Sequence, residues 1–315
     1  MAAPRLSVVL GSYNRLEPLK RCLQSILRET RTQVAVYVTD AGSTDGTQDY
    51  LREVASEVIR PLLVGERLGQ ARAYNDVFRT LETPYVAWLS DDNEVVDGGL
   101  DRAVSVLDRR REVGMVALKT RDVQGPFLGS AYLGGVSETG VLNVNQGVLR
   151  TPVLRQVGYF SEAFGSYGID PDLTAKVLYS GWDIVYTRKV ALHHYRDWPT
   201  EPGTPEHDTL KRVHERSLKL YRDKYGGMAD GDEGWARKRR FWAWFKKRLR
   251  GRYDENSLRP VLFGLWRDWN NAFLARHISP LDPWLSLGRD FHLRQHVAPE
   301  KRPGRLPPDP ISPEG

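Results

Sequence analysis

The sequence Ser90-Asp91-Asp92-Asn93 sets two adjacent carboxylates directly after the apolar run Tyr85–Leu89. Neighbouring carboxylates repel unless a cation or a hydrogen-bond donor stands between them. A hard divalent cation such as Mg²⁺ or Mn²⁺, shared with substrate phosphates, would satisfy the pair. So would a solvated turn that caps a helix. Asp40 closes the run Val34–Thr39 and precedes Ala41-Gly42-Ser43-Thr44-Asp45-Gly46-Thr47. Its carboxylate suits a ring N–H of a nucleobase, and strand-end acids also make turns. Ser43 and Asp45 are placed to cap the next helix. His193-His194 ends another apolar run, with Val190, Leu192 and His194 alternating onto one face.

Positioning these groups takes a scaffold. The chain has 315 residues, 40% hydrophobic and 27% charged. At about 150 residues per domain that suggests roughly two domains, and the composition is that of an ordinary globular protein. Collagen, coiled coil, bulk disorder and a polytopic membrane protein are excluded. Cys22 is the one cysteine, so no intrachain disulfide forms, and a reducing compartment is expected. Leu6–Leu10 is too short for a signal-peptide core, and no apolar stretch reaches 18 residues, so no transmembrane helix is expected.

Strand and helix patterns alternate through the first 120 residues. Leu6–Leu10, Val34–Val38, Val58–Val64, Tyr85–Leu89 and Val113–Leu118 read as strands, and Pro61 puts the third near an edge. Leu19, Cys22, Leu23, Ile26 and Leu27 have helical spacing. So do Gly69–Leu81, Leu100–Leu107, Leu173–Leu178 and Thr209–Lys224. This order predicts an α/β fold with a mainly parallel sheet flanked by helices. Ligands then sit beyond the carboxyl ends of the strands. Three polar loops occupy that position: Gly11–Arg15, Asp40–Thr47 and Ser90–Val96. Residues 121–140 read as a Gly-rich loop, and Ile184–Leu192 as one strand ending at the two histidines.

Taken in order, the segments Ser7–Arg15, Val38–Thr47, Leu68–Asn75, Leu89–Asn93 and Val157–Leu173 resemble the family 2 glycosyltransferases of the GT-A fold, a Rossmann-like nucleotide-diphospho-sugar transferase architecture. The likeness runs from residue 5 to about 225. It implies inverting transfer of a sugar from a nucleotide-diphosphate donor, expected to be UDP-linked, to a hydroxyl of a glycan or lipid-linked acceptor. Gly11, Ser12, Tyr13, Arg15, Asp40, Arg72 and Asp91 would bind the donor. Tyr13 would lie against the base, and Arg72 would neutralise phosphate or brace Asp40. Asp92 and His194 would hold a divalent cation, Mn²⁺ or Mg²⁺, that spreads charge on the leaving diphosphate. Asp170 would be the general base, within reach of the acceptor hydroxyl; as a plain alternative, Asp170 and Asp172 are helix N-terminal charges. Gln146, Gly147 and Asp172 are candidate acceptor contacts, with Asp172 equally a structural acid.

The sequence departs from the family pattern where Ala41, Ser90 and Ile169 replace acids, so base, metal and catalytic-acid environments differ. The Gln-x-x-Arg-Trp signature of processive members is absent, which points to transfer of one or a few sugars. A retaining enzyme, a nucleotidyltransferase and a non-catalytic nucleotide-sugar scaffold remain as alternatives. The Gly-rich amino-terminal loop ending in Pro-Lys that is usual in a nucleotidyltransferase is missing.

Net charge is +6, yet Trp235–Arg252 holds nine Lys/Arg and no acid, leaving the rest net acidic. On a helical wheel Trp235, Phe241, Trp242, Phe245 and Leu249 share a side, with cations such as Arg239 and Lys246 over the remainder. That pattern suits an anionic membrane surface, packing on the catalytic domain, or an acidic partner; nucleic acid is not expected. The expected divisions are a catalytic domain at 1–205, a closing helix at 206–228, a basic and aromatic helical extension at 229–297 that offers a homodimer surface, and a disordered proline-rich tail at 298–315. The expected location is cytoplasmic, peripheral on the inner membrane face.

Overall fold

Alternation along the strands decides which face of the sheet each side chain covers. β1 (Leu6–Ser12) sends Leu6, Val8 and Leu10 into one apolar cluster and Val9 into the other. β4 (Tyr85–Ser90) likewise sends Tyr85, Ala87 and Leu89 one way and Val86 and Trp88 the other. A strand buried on both faces must have helices on both, and it does. α1 (Leu16–Glu29) and α4 (Gly99–Arg109) cover the first cluster with Leu19, Cys22, Leu23 and Ile26, and with Leu100, Ala103, Val104 and Leu107. α3 (Gln70–Phe78), α5 (Thr151–Gln156), α6 (Ile169–Tyr179) and α7 (Pro205–Tyr225) cover the second. Leu27, expected on the buried stripe of α1, is 47% exposed.

The computed structural model describes residues 3–125, 141–197 and 201–227, with shorter stretches at 131–132, 137, 139, 240, 285–287, 293–297, 299, 302–303 and 305–310. β2 (Val34–Asp40) and β3 (Ile59–Leu63) run parallel to β1, with β3 at the edge as Pro61 requires. β6 (Val113–Ala117) and β10 (Asp183–Tyr186) are also parallel. Between β4 and β6 lies β9 (Gly147–Arg150), antiparallel to both. It is the reversal in β9 that sets its first residue, Gly147, opposite Trp88 at the carboxyl end of β4.

Two sequence expectations change here. The run read as one strand from Ile184 to the histidines is two strands in two sheets: β10, and β11 (Leu192–Tyr195). Residues read as loop form β7 (Thr120–Gln124), parallel to β11. Both chains leave the main sheet side by side at Lys119. Its N–H donates to Thr187 Oγ1 at 2.9 Å and its carbonyl accepts from Ala191 N at 2.7 Å. β5 (Asn93–Val95) and β8 (Ala131–Tyr132) complete a second, four-stranded sheet in the order β5-β11-β7-β8.

The carboxyl-terminal third also departs from expectation. In the region read as helical, β12 (Leu285–Leu287) and β13 (Leu293–Gln295) add antiparallel strands beside β10. They cover an edge that would otherwise expose unpaired backbone. Part of the tail read as disordered packs back: Leu306 rests on the α6–α7 cluster, and Asp309 meets Lys224 Nζ at 2.6 Å. A buried lysine needs a counter-charge, and the tail supplies one. The candidate membrane residues Trp235, Arg239, Phe241, Trp242, Phe245, Lys246 and Leu249 lie outside the described residues, as does the expected dimer surface. Among the described residues no helix is long and apolar enough to cross a membrane.

Candidate active site

The carboxyl ends of β1 and β4 are pinned to each other by Tyr74, a residue of α3. Gly11 N donates to the Tyr74 hydroxyl at 2.8 Å, which donates in turn to Leu89 O at 2.8 Å. Any Cβ at Gly11 would lie 2.9 Å from a Tyr74 ring carbon, so Gly11 lets the ring in rather than touching ligand by necessity. Beyond it, Asn14 takes a left-handed φ of 52°. Asn14 N donates to Ser43 Oγ at 2.8 Å, and its side-chain oxygen accepts from Thr44 N at 2.8 Å. The first two polar loops are thereby one unit.

Asp40 is fully buried beneath that unit. Its carboxylate accepts from Gly42 N at 3.1 Å, Ser43 N at 3.0 Å and the Ser43 hydroxyl. Of its two sequence readings, the turn-building one describes what these bonds do. Tyr13 is 39% exposed, with the Arg67 guanidinium 4.7 Å from its ring centre. An exposed ring face braced by a cation is a platform on which a base could stack. Arg72 stays exposed on α3, where its charge acts on Glu162.

Asp91 and Asp92 are both buried, and Arg15 bridges them. Its Nε lies 3.4 Å from Asp91 Oδ1 and its Nη2 3.1 Å from Asp92 Oδ2. On the other side His194 Nε2 is 3.2 Å from Asp92 Oδ1. The partner on Nδ1 is Asp122, at 2.9 Å, itself fully buried and also met by Arg196 Nε at 3.3 Å. Sheet register makes this possible, since His194 stands opposite Asn93 on β5 and Asp122 on β7. His193, by contrast, meets Glu94 at 3.5 Å, away from the acid pair.

The two acids are not equivalent. Burial pushes Asp91 up to about 7, against the pull of Arg15 and with the push of Asp92. Asp92 is buried too, yet hydrogen bonding and charge from His194, then Arg15, hold it below the ordinary carboxylate value. His194 loses basicity to burial and regains more from Asp122 and Asp92, ending above the usual imidazole value.

Asp170 lies in the first turn of α6 and is held by a residue that sequence reasoning passed over. Trp88 Nε1 donates to Asp170 Oδ1 at 2.9 Å and shares its proton with Asn145 O at 3.2 Å. Trp88 lies on β4, two residues before Ser90. The same strand end therefore orients Asp170 and presents the acid pair, and Tyr74 between them feels the charges of both Asp91 and Asp170. Its sequence signal was only that of one apolar residue in a strand.

The acceptor candidates separate. Gln146 is tied to the strand end, donating to Ser90 Oγ at 3.0 Å and accepting from Ser90 N at 3.1 Å. Gly147 is buried where a Cβ would meet the Trp88 ring at 2.8 Å and Val116 O at 2.9 Å, so its smallness serves packing. Asp172 is fully buried, with Lys224 Nζ at 2.5 Å, the Tyr225 hydroxyl at 2.7 Å and Lys176 Nζ at 3.5 Å. That placement makes it a bond between α6 and α7 and not an acceptor contact.

Among the described residues no ready group of three His, Cys, Asp or Glu ligands stands around one point. The donor types nonetheless fit a hard divalent cation. Asp91 Oδ2 is buried with no hydrogen-bond partner among the described residues, Asp92 adjoins it, and His194 presents a nitrogen whose ring is braced from behind by a carboxylate. Ser12, buried beside Asp91, completes the wall.

A mainly parallel sheet of this topology, flanked by helices on both faces, is that of the GT-A fold. Residues 7–138 match the family described as Glycosyl transferase family 2. An uncharacterised glycosyltransferase of Nostoc is 27% identical over 150 residues, covering 43% of this chain and 46% of that one. The N-acetylglucosaminyl-diphospho-decaprenol L-rhamnosyltransferase of Mycobacterium tuberculosis is 25% identical over 275 residues, covering 74% and 86%. The chain spans less than half the length of the Nostoc relative. Staphylococcus aureus TarS in complex with UDP-GlcNAc superposes with TM-score 0.57 at 18% identity, over 80% of this chain and 74% of that one. GalNAc-T7 with UDP, GalNAc and Mn²⁺ superposes with TM-score 0.54 at 12% identity, over 71% and 49%. At such identities these structures establish the fold.

Proposed function

We propose that the chain is an inverting glycosyltransferase. It moves a sugar from a nucleoside-diphosphate donor, UDP by preference, to a hydroxyl of a glycan or lipid-linked acceptor, and serves polysaccharide biosynthesis. The observation that carries this reading is the Trp88–Asp170 bond, which holds a carboxylate against the strand that leads into Asp91 and Asp92. Asp170 takes the proton from the acceptor hydroxyl as its oxygen bonds to the anomeric carbon. The bond from that carbon to the diphosphate oxygen breaks, the diphosphate leaves with the electron pair, and one displacement inverts configuration. Tyr13 offers its ring to the base, while Asp40 and Ser43 shape the loop beneath. Asp91, Asp92 and His194 would hold Mn²⁺ or Mg²⁺, which, when bound, stabilises charge on the leaving diphosphate.

The complexes of TarS with UDP-GlcNAc and UDP support the donor class. The named substrate of the mycobacterial relative supports a lipid-linked acceptor. Thermal shift with UDP plus Mn²⁺, followed by anomer analysis of the product from a UDP-sugar, tests the reading. Stabilisation and an inverted product are expected; retained configuration would remove Asp170 from its role. The basic and aromatic segment 235–252 further supports contact with an anionic membrane. Full-length protein is expected to co-sediment with vesicles of anionic phospholipid, and protein lacking 235–252 is not. Equal sedimentation would discard that contact.

A further inference from the structure

We propose that Arg15 is a resident counter-cation of the Asp91–Asp92 pair, which a divalent cation must displace and which the donor diphosphate then takes up. The inference rests on the reading of Asp91, Asp92 and His194 as the cation site. Three observations carry it. Arg15 sets one nitrogen on each carboxylate, at 3.4 and 3.1 Å, so it spans the pair as a bridging ion would. Its side chain is 33% exposed while those of the two acids are 6% and 9% exposed, so the guanidinium lies over the pair from the solvent side. Arg15 also directly precedes α1 in the loop that carries Tyr13, the platform for the base.

The electrostatics follow from position. Two adjacent buried carboxylates need positive charge; His194 serves Asp92 from one side, and Arg15 spans both acids when no metal ion is present. A divalent ion entering alone must evict a guanidinium that then has only solvent to pair with. An ion arriving with a nucleotide diphosphate brings the oxygens that re-pair it, in the planar geometry that arginine favours. The two ligands should therefore bind with positive coupling, and Arg15 should be its source. Burial works against the charge of Arg15, but the two acids outweigh burial and keep it protonated.

The test is Mn²⁺ binding followed by electron paramagnetic resonance, with and without UDP, for the wild type and for Arg15→Gln. Without nucleotide, Arg15→Gln is expected to bind Mn²⁺ about tenfold more tightly than the wild type. UDP is expected to tighten Mn²⁺ binding by about tenfold or more in the wild type, and by much less in the variant. Equal or weaker Mn²⁺ affinity in Arg15→Gln would overturn the proposal and leave the site reading standing. If the variant does not fold, the wild type still decides, because Mn²⁺ affinity unchanged by UDP is incompatible with displacement of Arg15. Absence of Mn²⁺ binding in every sample, UDP included, would overturn the site reading and this inference together.

Discussion

Asp170→Asn is expected to lower turnover by about 10²–10⁴-fold, the usual worth of a positioned general base, while nucleotide affinity stays near that of the wild type. The amide oxygen of asparagine can still accept from Trp88 Nε1, which now holds Asp170 Oδ1 at 2.9 Å, so the geometry of α6 has no cause to change. The group loses only its capacity to take a proton. Steady-state turnover beside calorimetric titration of UDP separates the two effects. Turnover equal to wild type would show that the proton goes elsewhere. Loss of nucleotide binding in step with turnover would show a damaged fold in place of a missing base.

Two residues along the same helix the outcome reverses. Asp172→Ala is expected to cost about 3–5 kcal/mol of folding stability, the range for breaking a buried ion pair by removing one partner. The side chains of Asp172 and Lys224 are both fully buried, and Lys176 is 4% exposed. Removing the carboxylate leaves the Tyr225 hydroxyl only the Asp172 backbone carbonyl, at 3.4 Å, and takes from Lys176 the larger of the two charges that work against its burial. Asp309 still meets Lys224, which keeps the cost nearer the lower end. Urea unfolding with tryptophan fluorescence reads the change. A loss under about 1 kcal/mol would place Asp172 among weak surface pairs and contradict its role as the bond between α6 and α7.

The contrast between Asp170 and Asp172 shows where local reading stops. Successive helical residues turn by about 100°, so positions two apart face nearly opposite ways. Which way is inward depends on α7 and the tail, which pack against α6 from more than 30 residues away in sequence. Similarly, Asp40 looked alike as base acceptor and as turn former. Its bonds to Gly42 and Ser43 now show the turn.

Apolar periodicity was enough to determine β1 to β4, β6, α1, α3, α4 and the edge position of β3, and the order of motifs gave the resemblance to family 2; β5 lies inside a segment read as a loop. Those signals are local, because alternation of 2 and of about 3.6 residues is set by backbone geometry within each element. Pairing between distant strands is not. The antiparallel insertion of β9, the step of two strands at Lys119 into a second sheet, the stack of Asp92, His194 and Asp122 across β11 and β7, the hold of Trp88 on Asp170 and the bridge of Arg15 all depend on which elements lie side by side. Only the packed chain decides that, because register and helix docking are settled by burial summed over both sheet faces and by the need of each buried charge for a partner.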